Sequence, residues 1–320
     1  MLRTFLIDLS QAAWAQDLVT RSKLARQASS RFVAGHTIQD ALRVVTTLND
    51  MGINATLDQL GEHTANSVAA NRAADGILEV LDELHKAGVR SNISIKLTQI
   101  GLGLDENVCR ANLMRILERA RDHANFVRID IEDSPYTDRT IALYNEMIER
   151  GFAGETVGMA LQSYLFRSEA DARALVATGA RLRIVKGAYQ EPLDVAFAAK
   201  ADVDASYDTL VSILLDASAA HSSRLSADGR VPPIAAIATH DETRIAFART
   251  YAEKVGLPKT GLEFQMLYGI RRDLQEQLAR LGYPVRVYVP FGTHWYPYFM
   301  RRLAERPENI WFFLSNSIKK

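Results

Sequence analysis

In residues 92–97 (NISIKL) and 127–132 (VRIDIE), apolar and polar residues alternate strictly. Successive side chains of a β-strand point to opposite faces, so each stretch predicts a strand with one apolar and one polar face. Strands of a parallel sheet covered by helices on both sides are usually apolar throughout. The polar faces therefore predict the inside of a closed barrel, where buried charges need ion pairs or a polar ligand to offset their desolvation.

Short apolar runs alternate with stretches of helical period eight times along the chain. The predicted strands are residues 53–60, 92–97, 126–131, 157–162, 181–186, 234–239, 263–267 and 285–290. The predicted helices are residues 64–87, 105–125, 137–150, 168–178, 203–220, 241–256, 269–281 and 295–306. Eight strands, each followed by a helix, indicate an α/β fold of the (β/α)8 TIM-barrel type rather than an open sheet.

The polar region at about residues 10–35 is predicted to be helical and precedes the first strand. We therefore divide the chain into an N-terminal helical extension, residues 1–50, and a barrel that forms the catalytic domain, residues 51–320. A single barrel of this length is ordinary, because barrels of roughly 250 residues fold as one domain.

Composition excludes several classes of partner. The 38 basic and 38 acidic residues balance, so no net charge favours binding to nucleic acid or to an anionic membrane. No apolar run approaches the roughly 18 residues of a membrane span, and a soluble protein is expected. The single cysteine, Cys109, cannot form an internal disulfide, which fits a reducing cytoplasm.

Barrel enzymes place their chemistry at the C-terminal ends of the strands. The polar residues that close the predicted strands are Lys96, Asp130, Gln162, Arg183, Thr239, His240 and Tyr288. Each also has a structural interpretation. Lys96 and Asp130 could form an ion pair within the barrel, Gln162 and Thr239 could fill a layer of the core, and His240 could be a buried histidine with no chemical role.

The last predicted helix carries a polar face that suits a small carboxylate. Tyr298, Arg301, Arg302 and Glu305 stand at positions i, i+3, i+4 and i+7, while Met300, Leu303 and Ala304 form the docking face. Neighbouring arginines bind carboxylates through charge-assisted, bidentate hydrogen bonds. The alternative is an exposed face with an Arg301–Glu305 ion pair.

No sequence motif for a metal or a dinucleotide is present. The sequence HDE at 240–242 directs three consecutive side chains to different sides, and GLG at 101–103 lacks the third glycine of a dinucleotide fingerprint. We expect no metal, and a flavin would need another mode of binding.

Several motifs, in order along nearly the whole chain, resemble the proline dehydrogenase family, most closely its short monofunctional bacterial type. They are RFVAG (31–35), LGE (60–62), SIKLTQIGL (94–102), VRIDIED (127–133), LQSYL (161–165), RLRIVKGAY (181–189), ATHDE (238–242), EFQMLYG (263–269) and VPFGTHWYPYFMRRLAERPEN (289–309). The resemblance implies a distorted barrel that holds FAD, with the last helix lying over the strand ends.

The same resemblance implies roles for individual residues. The flavin ring would contact Arg183, Gln162 and the backbone of Ile131, and the remainder of FAD would contact Lys186, Gly187, Ala188, Thr239 and His240. The substrate carboxylate would bind Lys96, Arg301 and Arg302, with Asp130 and Glu305 holding these cations. The substrate ring would lie between Tyr189, Tyr288 and Tyr298. Asp130, Arg183, Lys96 and Tyr288 would form the catalytic group.

The activity that the resemblance implies is oxidation of L-proline to Δ1-pyrroline-5-carboxylate, with hydride transfer to FAD. Electrons would pass to a membrane quinone, which implies peripheral contact with the inner face of the plasma membrane. Since 320 residues leave no room for a fused aldehyde dehydrogenase, we expect a separate pyrroline-5-carboxylate dehydrogenase.

Two other functions are compatible with a barrel of this kind. A Schiff-base lyase or aldolase would use Lys96 or Lys186 as its nucleophile. A barrel that only binds a ligand would show binding without turnover of an electron acceptor. A yellow protein with flavin absorbance would exclude the lyase.

Overall fold

The computed structural model of the chain describes residues 29–305, apart from the side chain of Glu305. Within these residues, eight parallel strands form a closed barrel in which each strand pairs with the next and the last pairs with the first. The strands are β1 (Asn54–Gln59), β2 (Ser91–Ile95), β3 (Val127–Ile129), β4 (Val157–Gln162), β5 (Leu182–Val185), β6 (Ala235–Ala238), β7 (Leu262–Leu267) and β8 (Val285–Phe291). The predicted barrel is confirmed, and every predicted strand overlaps an observed one.

Among the described residues, one helix precedes the first strand, and one helix follows each strand. The helices are α1 (Ile38–Asp50), α2 (Ser67–Ala87), α3 (Glu106–Asp122), α4 (Ser134–Glu149), α5 (Ser168–Ala177), α6 (Lys200–Ala220), α7 (Glu242–Lys254), α8 (Arg272–Arg280) and α9 (Trp295–Glu305), with a short 3-10 turn at Lys259–Gly261. The eight helices predicted after the strands are confirmed to within a few residues at their ends.

The apolar faces of the strands form the core between barrel and helices. Ile93, Ile95, Val127 and Ile129 are all almost fully buried in the same cluster as the inner faces of the helices. Burial of each such side chain contributes roughly 1.5–3 kcal/mol to folding. The alternation in β2 and β3 therefore points its apolar residues outward, as predicted.

The polar faces point into the barrel, where ion pairs compensate their charges. Arg286 and Glu263 are 1% and 0% exposed and pair through Arg286 Nε at 2.8 Å. Thr56 of β1 lies beside Asn92 of β2 and beside Tyr288 of β8, and its hydroxyl donates to the Asn92 amide oxygen. The dense pairing expected for a polar barrel interior is present.

Helix α1 packs against β1 and β8. A capping box begins the helix: Asp40 N donates to Thr37 Oγ1 at 3.1 Å, and Thr37 N donates to the Asp40 carboxylate at 3.0 Å. Residues 30–35 form turns rather than the predicted helix, and the remainder of that helix prediction lies outside the described residues. The domain boundary at residue 50 stays a prediction.

The last helix, α9, lies over the C-terminal ends of the strands, as predicted. The chain turns at Gly292, whose φ of 118° is one that favours glycine, before α9 begins. The apolar face of α9, including Trp295, Phe299 and Leu303, packs with Phe32 of the N-terminal turn. This packing directs the polar face of α9 toward the strand ends.

Candidate active site at the strand ends

A cavity of about 580 Å³ opens at the C-terminal ends of the strands, a size typical of small-molecule sites. It is lined by every predicted site residue whose side chain is described: Lys96, Asp130, Ile131, Gln162, Arg183, Lys186, Gly187, Ala188, Tyr189, Thr239, His240, Tyr288, Tyr298, Arg301 and Arg302. Glu305 has no described side chain. The structure thus brings together residues from β2 through α9, and their individual roles stay predictions.

Asp130 is the centre of the hydrogen-bond network on the barrel floor of this cavity. Its carboxylate accepts hydrogen bonds from Ser94 Oγ at 2.7 Å, from Tyr288 Oη at 2.9 Å and from Arg183 Nη2. Lys96 Nζ lies 3.8 Å from the same carboxylate. Because these groups come from β2 and its end, from β5 and from β8, one carboxylate connects three strands across the floor.

Lys96 has a second acidic partner that the sequence analysis did not identify. Its Nζ lies 3.2 Å from Asp58 Oδ2, and the Asp58 side chain is almost fully buried. Asp58 belongs to the inward face of β1, together with Asn54 and Thr56, so the period-two alternation could have revealed it. Two carboxylates therefore neutralise the Lys96 ammonium within the barrel.

Arg183 and Gln162 carry buried polar atoms that have no hydrogen-bond partner among residues 29–305. These atoms are Arg183 Nε and Gln162 Oε1. The Gln162 amide nitrogen instead donates to the backbone oxygens of Ile131 and Glu132, at 3.3 and 3.2 Å. Burial lowers the pKa of Arg183, although nearby anionic groups oppose the effect. A buried polar atom without a partner costs roughly 1–3 kcal/mol, so both atoms fit a site for a polar ligand.

The Arg183 guanidinium also lies over the ring of Tyr288, 5.4 Å from its centroid. Arg302 lies in the same way over Tyr298, at 5.1 Å. Such cation–aromatic contacts contribute roughly 0.5–2 kcal/mol and hold planar side chains in one orientation. Two arginines that line the cavity, one from β5 and one from α9, are thereby oriented.

Arg301 has a carboxylate partner that was not among the predicted site residues. Its Nη1 and Nη2 atoms donate to Glu62, at 3.0 and 2.6 Å. The role of Glu305 as a further partner stays a prediction. Burial alone would lower the pKa of Arg301, but the Glu62 carboxylate raises it. Glu62 belongs to the LGE motif at 60–62, which was recognised in the sequence, but no role was predicted for this residue.

On the far side of the cavity, Lys186 is fixed between two carboxylates. Its Nζ lies 2.5 Å from Asp204 and 2.7 Å from Asp241. His240 Nε2 accepts a hydrogen bond from Leu267 N at 3.0 Å, which orients the imidazole against β7. These contacts orient polar groups that line the cavity beside β5 and β6.

Glu132, three residues beyond the end of β3, is a buried acid that was not among the predicted site residues. Its carboxylate accepts hydrogen bonds from Thr98 Oγ1 and from Thr98 N, the latter at 3.1 Å. Burial raises the pKa of Glu132 to about 7, although Thr98 and the charge of Lys96 oppose that effect. A carboxyl group that titrates near neutral pH thus lies beside the site.

In the described part of the chain, no helix combines the length and the apolar character that a membrane crossing would need.

Comparison with known proteins gives one consistent family. A sequence model for a family described as proline dehydrogenase matches residues 41–313. Proline dehydrogenase of Deinococcus radiodurans is 40% identical over 304 residues, which cover 93% of each chain. Proline dehydrogenase 1 of Bacillus subtilis is 39% identical over 295 residues, which cover 92% of each chain.

Among solved structures, the fold resembles proline utilization A from Bdellovibrio bacteriovorus inactivated by N-propargylglycine, with a TM-score of 0.77 and 24% identity. That match covers 88% of this chain and 33% of the other. The chain thus spans about a third of the length of that protein, and the likeness shows a shared barrel fold.

Proposed function

This chain belongs to the proline dehydrogenase family of oxidoreductases, which carry out the first step of proline breakdown, and we propose that its cavity binds FAD and L-proline side by side. The product of the oxidation is then Δ1-pyrroline-5-carboxylate. One observation carries the proposal. Three cations, Lys96, Arg301 and Arg302, line the same cavity as buried atoms of Arg183 and Gln162 that have no hydrogen-bond partner within the described part of the chain.

Gln162, at the end of β4, and Arg183, within β5, fit a flavin. Arg183 Nε and Gln162 Oε1 offer a donor and an acceptor, which is the mixed hydrogen-bonding character of an isoalloxazine edge. FAD supplies the acceptor for the hydride that leaves the proline ring carbon beside nitrogen. The Arg183 cation would stabilise negative charge that develops on the ring system.

We assign the rest of the cofactor to residues along β3, β5 and β6. The backbone of Ile131 would lie beside the flavin, and Lys186, Gly187, Ala188, Thr239 and His240 would hold the portion that carries ribose and phosphate. Lys186 supports this assignment because its ammonium is already fixed by Asp204 and Asp241. A preoriented cation binds an anionic group without a further loss of side-chain entropy.

We assign the proline carboxylate to Lys96, Arg301 and Arg302. Each charge-assisted hydrogen bond contributes roughly 1.5–3 kcal/mol, enough to orient a small substrate. Asp58 and Glu62 balance two of these cations, which limits the cost of burying them. Hydride transfer depends mainly on orientation, so this binding would account for much of the catalysis.

The tyrosines Tyr189, Tyr288 and Tyr298 would enclose the proline ring, and Asp130 would hold Lys96, Arg183 and Tyr288 in register. Glu305 is proposed as a further acidic partner of the α9 arginines.

We also propose a quinone as the electron acceptor, reached by peripheral contact with the inner face of the plasma membrane. A separate pyrroline-5-carboxylate dehydrogenase is proposed for the next oxidation.

A Schiff-base lyase is the weaker alternative. Such an enzyme attacks with a free amine, whereas Lys96 is paired with Asp58 and Lys186 with Asp204 and Asp241. The visible spectrum separates the two functions, because flavin absorbance is expected only of the proline dehydrogenase.

The decisive experiment is a visible spectrum of the purified protein before and after anaerobic addition of L-proline. We expect flavin absorbance that bleaches on addition of proline and returns with a quinone analogue. A colourless protein, or a flavin that proline leaves oxidised, would overturn the proposed function.

A further inference from the structure

Helix α4 begins with an unusual cap. Its N-cap residue, Asp133, makes no side-chain capping hydrogen bond. Instead Glu191, from the segment between β5 and α6, accepts hydrogen bonds from Ser134 Oγ and from Ser134 N, the latter at 2.8 Å. A carboxylate at this position satisfies a backbone donor and interacts favourably with the positive end of the helix dipole. Glu191 thus ties a distant segment to α4.

The segment between β5 and α6, residues 186–199, is also held at Tyr164. The Tyr164 hydroxyl donates to Glu191 at 3.3 Å, and Phe197 N donates to Tyr164 O at 2.8 Å. Gly187 passes so close that a Cβ atom there would lie 2.4 Å from the Tyr164 ring. Its φ of 125° also favours glycine. The segment therefore has fixed points on both sides of residue 189.

Tyr189 lies between the fixed points Gly187 and Glu191 and lines the active-site cavity together with Arg301. Its environment includes the Glu62–Arg301 ion pair: burial raises the pKa of Tyr189 well above its ordinary value, and the charge of Glu62 adds to the increase. The aromatic ring that we assign to the substrate wall is thus carried by a loop, and its position depends on how that loop is held.

We propose that Glu191 is a positioning residue for proline oxidation, because it fastens the β5–α6 segment to the N-terminus of α4 and so keeps Tyr189 in the wall of the cavity that Arg301 also lines. This inference rests on the proposed function, since it assumes that Tyr189 contacts the substrate. Glu191 itself does not line the main cavity and acts through Tyr189.

The test compares Glu191→Ala, Glu191→Gln and a matched control, Asp194→Asn. Asp194 is an exposed carboxylate in the same segment, and its replacement removes the same charge. In Glu191→Ala, we expect hydrogen exchange of the amides of residues 187–191 in the free protein to accelerate about tenfold or more. We expect the KM for proline to rise roughly five- to twentyfold while kcat stays within about twofold.

Glu191→Gln should recover much of the loss, because its amide oxygen can still accept the hydrogen bond from Ser134 N. Asp194→Asn should match the wild type in exchange and in KM. A Glu191→Ala protein with wild-type exchange and wild-type KM would overturn the proposal, and so would Asp194→Asn changes equal to those of Glu191→Ala.

A double-mutant cycle with Tyr189→Ala tests the route of the effect. If Glu191 acts through Tyr189, Glu191→Ala should change KM little further in the Tyr189→Ala background. An undiminished increase there would refute the route through Tyr189. Failure of the proposed function is distinguishable, because it would appear in the wild type as a flavin that proline does not reduce, whereas the exchange rates need no substrate.

Discussion

The guanidinium of Arg301, on the last helix, forms a two-point ion pair with the carboxylate of Glu62, which follows the first strand. The two residues are 239 positions apart in the sequence, so the pair joins the beginning of the barrel to the helix that covers it. Arg301 is thus oriented by a protein carboxylate before any substrate carboxylate binds. Because Arg301 is already held in place, less side-chain conformational entropy is lost when the substrate binds.

We expect Arg301→Ala and Arg302→Ala each to raise the KM for proline by about 10- to 150-fold with FAD still bound, because each removes a charge-assisted contact of roughly 1.5–3 kcal/mol. Steady-state kinetics and the flavin absorbance per protein check this. Arg43→Ala is the control, since Arg43 is largely exposed and pairs with Asp40 across one helical turn; its effect should be less than about twofold. Wild-type KM values in both variants would contradict the carboxylate assignment.

Arg183→Met should lower both kcat and the reduction potential of the bound flavin. A buried cation near the ring favours its negatively charged reduced form more than its neutral oxidised form. Asp130 keeps partners in Ser94, Tyr288 and Lys96, so the fold should survive. The measurement is a potentiometric titration beside the wild type and beside Arg173→Met, an exposed arginine. A potential that is unchanged or higher would show that Arg183 does not face the flavin.

Strand alternation accounts for most of what the sequence could predict. Lys96 and Asp130 directly follow strands whose inward residues are polar, and Arg183 is an inward residue of β5, so the barrel and the floor of its cavity follow from local pattern. Asp58 obeys the same pattern in β1, yet it was not among the predicted site residues.

Residues in loops followed no such pattern. Glu62 and Glu191 lie where no periodicity constrains the chain, and their partners, Arg301 and Ser134, are chosen by tertiary packing alone. The raised pKa of Glu132 likewise depends on burial that a single sequence does not display. Residues at the strand ends, Asp130 among them, could thus be predicted, whereas the loop residues Glu62 and Glu191 and the burial of Glu132 could not.

Glu132 should make the stability of the protein depend on pH. Burial raises its pKa from an ordinary 4.5 to about 7, so the folded protein retains this proton over a range in which the unfolded chain has lost it. The contribution to stability is fully present below pH 4.5 and is lost as the pH rises through about 7. The loss is on the order of 3 kcal/mol.

The comparison is Glu132→Gln, which removes the titration but keeps an oxygen for the Thr98 N–H. Urea unfolding at pH 5 and pH 8 should show a smaller loss of stability in Glu132→Gln than in the wild type. Glu118→Gln, at an exposed position of α3, should behave as the wild type does. An equal loss in wild type and Glu132→Gln would rule out a pKa near 7 for Glu132.

Tyr288→Ser should relax the choice of substrate. The Tyr288 hydroxyl donates to Asp130 at 2.9 Å, and its ring lies beneath the Arg183 guanidinium, so the side chain forms a fixed wall of the cavity. Serine opens space where a substituent on the proline ring would otherwise clash. The loss of buried ring surface weakens proline itself by about 1–3 kcal/mol. Hydroxyproline should therefore lose less activity than proline.

The measurement for Tyr288 is the ratio of kcat/KM values for proline and trans-4-hydroxyproline. Tyr288→Phe is the matched control, because it removes the hydrogen bond to Asp130 but keeps the ring that excludes the substituent. We expect Tyr288→Phe to retain the wild-type ratio and Tyr288→Ser to shift it toward hydroxyproline. If both variants shift the ratio equally, the hydroxyl and its bond to Asp130 set the selection; if neither shifts it, Tyr288 is a structural residue of the barrel and does not contact the substrate ring.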